Sequence, residues 1–582
     1  MSEDESADVV VVGFGAAGAC AAIEAAAAGA RVLVLDRFAG GGATAASGGV
    51  VYAGGGTRQQ RAAGVEDTPR AMAAYLSEEV GDAVSPATLE RFCAQSAEML
   101  AWLEEHGVPF DARLCPDKTS YPTNRHYLYY SGSELSFAHL APPAPRGHRA
   151  LGRGTSGRVL YAGLAAATRA AGAAIRVQTR AERLVTAPDG RVTGVEGRTL
   201  RDAPGWARAG HRVLSGWSVK PGLYLPGLGR ALHRPMSWLE RRYGRPVRIG
   251  ARHGVVLAAG GFVFDREMMR EHAPAYRGLR LGTAGDDGSG IRMGTAAGAA
   301  TGHLDRVSIW RFLTPPAALV GGLLVDRDGR RVCDESRYGA AIGEAVLRRP
   351  ERRAWLLADA ELLAECRRQV RRQTLWFQRI QARWLLTFGR VAAGSLGEVA
   401  RRAGVDPAGL AATVRAHNDA AAAGRPDPAG KPSGAVRPQV RPPYSLIDFS
   451  VRERLAVPAP MLTLGGLRVD EQTGQALRAD GRGVPGLYAA GRTAVGVCSH
   501  NYVSGLSLAD CVFSGRRAGA SAARPSPEGA RRDEGPAHEG PAHEGPAHEG
   551  PAHEGPAHEG PAHEGPAHEG PAHEGGRHAH RG

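Results

Sequence analysis

The stretch Asp8–Asp36 (DVVVVGFGAAGACAAIEAAAAGARVLVLD) constrains this chain more than any other part of it. Val9–Val12 is a continuous β-branched run, as a strand buried on both faces of a parallel sheet requires. It runs straight into Gly13-Phe14-Gly15-Ala16-Ala17-Gly18, a G-x-G-x-x-G spacing. Gly13 permits the tight turn. Gly15 lets the backbone approach a pyrophosphate, which then rests on the positive end of the next helix, and Gly18 lets that helix lie close to the strands. Ala16–Ala28, nearly all alanine, is the expected helix, Gly29 ends it, and Arg31–Leu35 is the second strand. Asp36 at its end can accept hydrogen bonds from an adenosine ribose and would repel a 2′-phosphate. A lone glycine motif is weak evidence. Between two strands, with an acidic residue at the right offset, it specifies a dinucleotide site.

The far end of the ordered chain separates FAD from NAD. Gly486-Leu487-Tyr488-Ala489-Ala490-Gly491-Arg492 reads as a short strand ending in Gly-Arg. In a two-segment FAD domain such a strand returns to the sheet and brings backbone amides to the ribityl side of the flavin. An NAD domain ends within roughly 150 residues and has no use for it.

Between these ends the pattern alternates. Ser85 and Pro86 suit the N-cap and first turn of a helix carrying Leu89, Phe92, Cys93, Leu100 and Leu103, which Gly107 can close. Val159–Ala171, Ile175–Gln178 and the pair Ala181–Val185 and Val192–Glu196 read as helix, strand and hairpin. Val255–Phe264 reads as a buried strand interrupted by a glycine pair. Residues 203–248 have a loop's prolines and glycines, yet carry Trp206, Trp217, Tyr224, Trp238 and Tyr243 among many basic residues. They read as an insertion folded over its own domain or as a peripheral membrane or partner contact. Arg367–Phe388 places Leu375, Trp376, Ile380, Trp384 and Leu385 at helical spacing and is expected to be an amphipathic helix of a second domain rather than a lipid or nucleic-acid surface. From Glu534 the pentapeptide Glu-Gly-Pro-Ala-His runs eight times to His573. No core can form from it, so 525–582 is expected to be a disordered tail, a solvated segment first and a weak Ni²⁺ or Zn²⁺ binder second.

At 582 residues, two to four domains are expected. The net charge of +13, from 72 Lys+Arg against 59 Asp+Glu, can attract nucleic acid, anionic lipid or acidic ligands, and is read first as scattered surface arginine. The seven cysteines, at 20, 93, 115, 333, 366, 498 and 511, have no C-x-x-C spacing and form no metal or cluster motif. They suit a reduced, cytoplasmic protein. The acidic N-terminus lacks a signal pattern, and no apolar run approaches the ~20 residues of a spanning helix.

These residues together resemble the FAD-dependent fumarate reductase/3-ketosteroid dehydrogenase family up to about residue 524. The likeness takes in Gly41–Gly49 (GGATAASGG), Val255–Phe262, Gly285–Ile291 (GDDGSGI), Thr463–Leu467 (TLGGL) and Gly486–Arg492. It implies a Rossmann-like α/β FAD domain in two segments, 1–302 and 456–524, with an α+β cap at 303–455 and substrate between them over the flavin. The cofactor residues it implies are Gly13, Gly15, Ala16, Ala17, Gly18, Asp36, Arg37, Gly42, Ala43, Thr44, Ser47, Gly48, Gly49, Gly491, Ser507 and Leu508. The branch is decided in Cys498–Ser507 (CSHNYVSGLS). Fumarate reductases carry Asn-Arg-Leu-Gly-Gly-Asn there, and the arginine clamps a carboxylate. Tyr502 stands in its place, which suits a neutral ketone, and Tyr-x-Ser-Gly looks like the Δ4-(5α)-dehydrogenases rather than the Δ1 enzymes with Tyr-Pro-Gly-Pro-Gly.

The resemblance implies a steroid-like ketone substrate and an external electron acceptor. Tyr338 is expected as the base, Tyr502 with an amide of Gly505 or Leu506 as polariser of the C3 carbonyl, and Ser504 as a relay. Ser47 completes the substrate contacts. The roles of Tyr338, Tyr502 and Ser504 are interchangeable at this stage, and His500 is read as structural. The competing readings are Δ1 oxidation, a reductase of unsaturated acids, and a flavin-binding docking protein without activity.

Overall fold

The computed structural model describes residues 5–224, 226–452 and 459–525, with 220–224 and 226–230 as backbone alone. The expectations for the histidine-repeat tail lie outside the described residues. Strand β1 (Glu5–Val12), helix α1 (Ala16–Ala27) and strand β2 (Val32–Leu35) follow the order expected. β1 and β2 pair in parallel, with Val9 opposite Val32 and Val12 opposite Leu35. A Cβ on Gly18 would lie 1.9 Å from the Gly13 carbonyl oxygen, so only glycine lets α1 sit this close to its own turn.

A small antiparallel sheet follows, from β3 (Val50–Tyr52), β4 (Leu128–Tyr129) and β5 (Gly147–Arg149), with β5 central. Between its strands lies α2 (Pro69–Val80), capped by the Thr68 hydroxyl, which accepts from Ala71 N. The Ser85 cap and Pro86 start are as expected, but the helix stops at Ala94 and a second runs over Ser96–Glu105. Strand β6 (Ala174–Arg176) extends the main sheet beside β2, and β7 (Thr179–Thr186) forms a hairpin with β8 (Val192–Thr199).

The 203–248 insertion is a helical hairpin, α3 (Gly205–Tyr224) and α4 (Pro226–Tyr243), despite Pro235 inside the second helix. Buried Ala207, Met236 and Leu239 pack the hairpin. Glu240 locks it down by accepting from Arg37 Nε at 2.9 Å and Nη2 at 3.0 Å, with His211 Nε2 at 3.1 Å. Burial alone would raise this carboxyl; the hydrogen bonds from His211 and Arg37 outweigh it and hold Glu240 at about 2. Tertiary packing and this buried ion pair override the poor helix propensity of the sequence.

Strand β9 (Arg245–Leu257) is longer than expected at its start and shorter at its end. It pairs with β8 antiparallel and with β1 in parallel. The expected run to Phe264 stops at Leu257: Ala258 N makes a last bond to Val12 O, and Gly260, at φ +85°, then turns the chain away.

A second sheet lies within residues 323–448. Its strands β10 (Leu323–Val325), β11 (Trp355–Ala358), β12 (Arg390–Ala393) and β13 (Tyr444–Asp448) are antiparallel in the order β10-β11-β13-β12. The helix expected over Arg367–Phe388 is two, α5 (Ala360–Gln373) and α6 (Trp376–Thr387). Extended Thr374 and Leu375 separate them, and the Gln378 side chain accepts from Leu375 N to begin the second.

The chain then returns to the main sheet. β14 (Gln475–Leu477) and β15 (Gly483–Ala489) add to β9, with Leu487 opposite Val255, giving β14-β15-β9-β1-β2-β6. Helix α7 (Leu506–Ala522) packs on α1 backbone to backbone, since a Cβ on Gly515 or Gly519 would strike the carbonyl oxygen of Ala17 or Ala21. All seven cysteines are free thiols. Among the described residues no helix is long and apolar enough to cross a membrane.

Candidate active site

A cleft of about 1280 Å³ runs from the β1–α1 turn to Tyr338 and Tyr502. Every residue expected at the dinucleotide lines it except Gly18 and Gly491. Gly18 is taken up by the turn itself. Gly491 donates to Ser514 Oγ, and a Cβ there would meet Ala17, so its smallness serves the packing of α1 against α7.

The cleft fits FAD. Gly13, at φ +107°, would bring a Cβ within 2.3 Å of the Ala258 carbonyl oxygen. Gly15 caps α1 without any side-chain hydrogen bond, leaving the mouth of the helix to a phosphate. Thr44 Oγ1 accepts from Ala16 N at 2.9 Å and pins the 41–49 loop to that helix end. Asp36 accepts from Phe14 N, Phe38 N and Gly40 N. Three of the carboxylate's roughly four lone-pair directions are thus used, and one remains for a ribose hydroxyl. Burial raises its pKa, with these three amides acting in the opposite direction. Arg492 pairs with Asp286 through Nη2, while its buried Nη1 has no protein partner, a donor left for a ligand oxygen.

At the other end three expected residues converge. Tyr338, at the N-cap of the helix Gly339–Leu347, and Tyr502 have ring centroids 6.2 Å apart. Ser504 Oγ is 3.1 Å from Tyr129 Oη and also meets the Tyr338 phenol. Burial pushes Tyr338 well above the ordinary tyrosine value, with the Ser504 hydroxyl opposing it. Burial raises Tyr502 too, with the Gly505 amide opposing it. Both phenols are therefore protonated donors near neutral pH. Leu506 takes no part, because it is fully buried and its N–H donates to Val503 O at 3.1 Å. The Ser47 hydroxyl lines the cleft but is held in its own turn, donating to Thr44 O and accepting from Gly49 N. His500 contacts Asp82 at 3.1 Å, a surface pairing away from the tyrosines.

Several residues of the site escape sequence reasoning. Tyr129 sits in a two-residue strand with no motif around it. Trp310 stacks on Tyr502 at 4.8 Å and Phe312 packs edge-on against Tyr338 at 5.7 Å, giving the pocket apolar walls. Beneath lies fully buried Glu79, whose Oε2 accepts from Asn501 Nδ2 at 2.7 Å and Oε1 from Tyr75 Oη at 3.0 Å. Asn501 Oδ1 accepts from Tyr502 N. Tyr75 Oη accepts from Ser133 N, and Ser133 Oγ from Tyr338 N. One carboxylate thus holds the backbone of both site tyrosines.

Comparison with known proteins adds to this geometry. Residues 8–508 match the family model described as FAD binding domain. The chain is 37% identical over 500 residues to the 3-oxo-5-alpha-steroid 4-dehydrogenase of Comamonas testosteroni, covering 84% of this chain and 92% of that one. It is 29% identical to a 3-oxosteroid 1-dehydrogenase of Mycobacterium tuberculosis, over 85% and 94% of the two chains. Among solved structures it resembles the 3-ketosteroid-delta4-(5alpha)-dehydrogenase of Rhodococcus jostii RHA1 in complex with 4-androstene-3,17-dione. That match has a TM-score of 0.75 and 33% identity, and covers 90% of this chain and 97% of that one.

Proposed function

From the premise that the chain belongs to the FAD-binding-domain family of fumarate reductases and 3-ketosteroid dehydrogenases, we propose that it oxidises ring A of a 3-oxosteroid, at the Δ4-(5α) bond in preference to Δ1. FAD is its cofactor, and it is an oxidoreductase of CH–CH bonds. The observation that carries the substrate class is Tyr502 at the position where a dicarboxylate enzyme needs arginine, walled by Trp310 and facing Tyr338. A phenol donates one hydrogen bond to a neutral carbonyl and cannot hold a carboxylate bidentately.

The division of labour follows from the protonation states. Tyr502 Oη donates to the C3 carbonyl oxygen, and the Gly505 N–H, which faces that phenol, reinforces the polarisation that acidifies the adjacent C–H. Tyr338 takes that proton as the phenolate, which the Ser504 hydroxyl, itself bonded to Tyr129, stabilises; burial keeps this form scarce at neutral pH, so turnover rises with pH. Bound FAD supplies the hydride acceptor for the β hydrogen. The 41–49 loop and the start of α7 would hold the isoalloxazine side, and the β1–α1 turn and Asp36 the adenosine side.

We read 1–302 and 456–524 as the FAD domain and 303–455 as the cap. With no cluster or haem motif in the chain, electrons leave to an external acceptor. The α3–α4 hairpin, with exposed Trp206, Trp217 and Trp238, supports peripheral membrane contact by a cytoplasmic enzyme.

The deciding experiment is anaerobic flavin bleaching with saturated 3-oxosteroids, 3-oxo-4-ene steroids and succinate. Bleaching by a 5α-3-oxosteroid and not by succinate is expected, and a flavin that no steroid reduces would overturn the reading. Tyr502→Phe is expected to lower kcat/KM by about 10²–10³-fold. Full activity in that variant would remove the polariser assignment.

A further inference from the structure

We propose that the corner formed by the end of α5 and the outer face of α6 docks on an anionic lipid surface, setting the mouth of the cleft against the bilayer. Trp376 is 73% exposed, Ile380 one turn later 62%, and Phe388 at the end of the helix 76%. Apolar side chains of this size are common singly on a surface, but Trp376 and Ile380 share one face of a short helix, with Phe388 just past its end, and this calls for a covering partner.

The charge around the patch identifies the partner. From Cys366 to Ala393 the chain carries seven arginines, at 367, 368, 371, 372, 379, 383 and 390, and no Asp or Glu. Arg367, Arg371, Arg372 and Arg383 are exposed. Among the described residues Arg368 pairs with a carboxylate, Glu365, at 2.6 Å. Arg379 Nη2 donates to Arg371 O at 3.2 Å and helps fix the angle between the helices. Basic side chains around a centre of tryptophan, isoleucine and phenylalanine suit the headgroup–acyl boundary of an anionic bilayer. A nucleic acid would use the charge and leave the apolar centre uncovered.

The position of the patch gives it a purpose. Trp376 and Ile380 also line the rim of the cleft, half-buried Phe377 comes next, and buried Leu385 and Leu386 continue the wall inward. Gln378 Nε2 donates to Tyr121 O at 3.3 Å, tying α6 to the opposite lip. An apolar track therefore leads from the exposed face of α6 into the pocket, so a ligand dissolved in lipid enters without crossing water. This delivery role rests on the ketosteroid reading above. The docking itself does not.

The test is co-sedimentation of the full FAD-loaded chain with vesicles of phosphatidylcholine alone or mixed with phosphatidylglycerol, at low and high salt. Binding to the mixed vesicles at low salt is expected. It should fall about ten-fold or more in Trp376→Ser/Ile380→Ser and, independently, in Arg371→Glu/Arg372→Glu, with flavin content and Tm as fold controls. A Trp206→Ser/Trp238→Ser variant should still reach the vesicles through α6. No binding to mixed vesicles, or a loss confined to the hairpin variant, would overturn the proposal. So would a dimer that Trp376→Ser/Ile380→Ser splits without any vesicle binding, which would make this face an interface between copies. Because no steroid enters the assay, its failure is separable from failure of the functional reading.

Discussion

Ser504 Oγ lies 3.1 Å from Tyr129 Oη in a fully buried contact between the small three-stranded sheet and the start of α7. The link joins a tyrosine outside the cleft wall to the hydroxyl that meets Tyr338. Removing this hydroxyl should cost turnover rather than binding. Ser504→Ala is expected to lower kcat by about 10²–10⁴-fold, and Tyr129→Phe by less, with flavin content and KM little changed. Steady-state kinetics and the single-turnover bleaching rate check both.

Glu79 should act as a positioning residue. It holds Tyr502 through Asn501, and Tyr338 through Tyr75 and Ser133. Glu79→Leu strands two buried donors and is expected to cost about 2–4 kcal/mol of stability as well as activity. Glu79→Gln keeps one acceptor and should recover much of both. A comparison of kcat, KM and Tm across the two variants distinguishes positioning from bulk destabilisation, since only positioning lowers kcat in the Leu variant at a temperature where it is still folded.

Gly13→Ala should abolish flavin binding. The added methyl would lie 2.3 Å from the Ala258 carbonyl oxygen, at a φ of +107° that alanine rarely adopts. The purified variant is expected to be colourless, and added FAD should not restore its absorbance. A yellow Gly13→Ala protein would contradict this account of the β1–α1 turn.

Asp510 predicts a pH dependence of stability. Burial raises its carboxyl from 3.8 to about 6, with Arg517 and the amides of Val497 and Cys498 opposing, and its Oδ1 has no partner. The folded chain therefore holds this proton more tightly than the unfolded chain. Its contribution is fully present below about pH 4 and is lost as pH rises through about 6. Asp510→Asn mimics the protonated form and should be more stable than the parent near neutral pH by up to about 3 kcal/mol, with the gain gone in acid. Thermal unfolding of both proteins across that range measures it.

Much of this was readable along the chain wherever local chemistry carries the information. The β1–α1 turn needs glycine for steric reasons, so Gly13, Gly15 and Gly18 announce it. Tyr338 and Tyr502 come together as the family resemblance implies, though 164 positions separate them. Tyr129 and Glu79 could not be found this way, because each matters only through a contact made in the folded chain. The hairpin at 203–248 misleads for a related reason: its glycines and Pro235 argue for loop, while Glu240 and Arg37, distant in sequence, hold helices in place. At Leu257 the end of a strand was hidden because an apolar composition continues past the point where the backbone turns.

The pairing of β15 with β9 also governs when the protein can first hold its cofactor. Leu487 lies opposite Val255, so the central sheet stays open on one edge until the segment after the second sheet has been made. On the ribosome, where chains fold from the N-terminus onward, the β1–α1 turn is complete early, but α7, which covers α1, is the last element among the described residues to emerge. The closing contacts are also far apart in sequence, which slows their formation. Cofactor loading is therefore a late event in the life of the nascent chain. A truncation before Gly483 should yield a protein that contains the complete glycine fingerprint and retains no flavin.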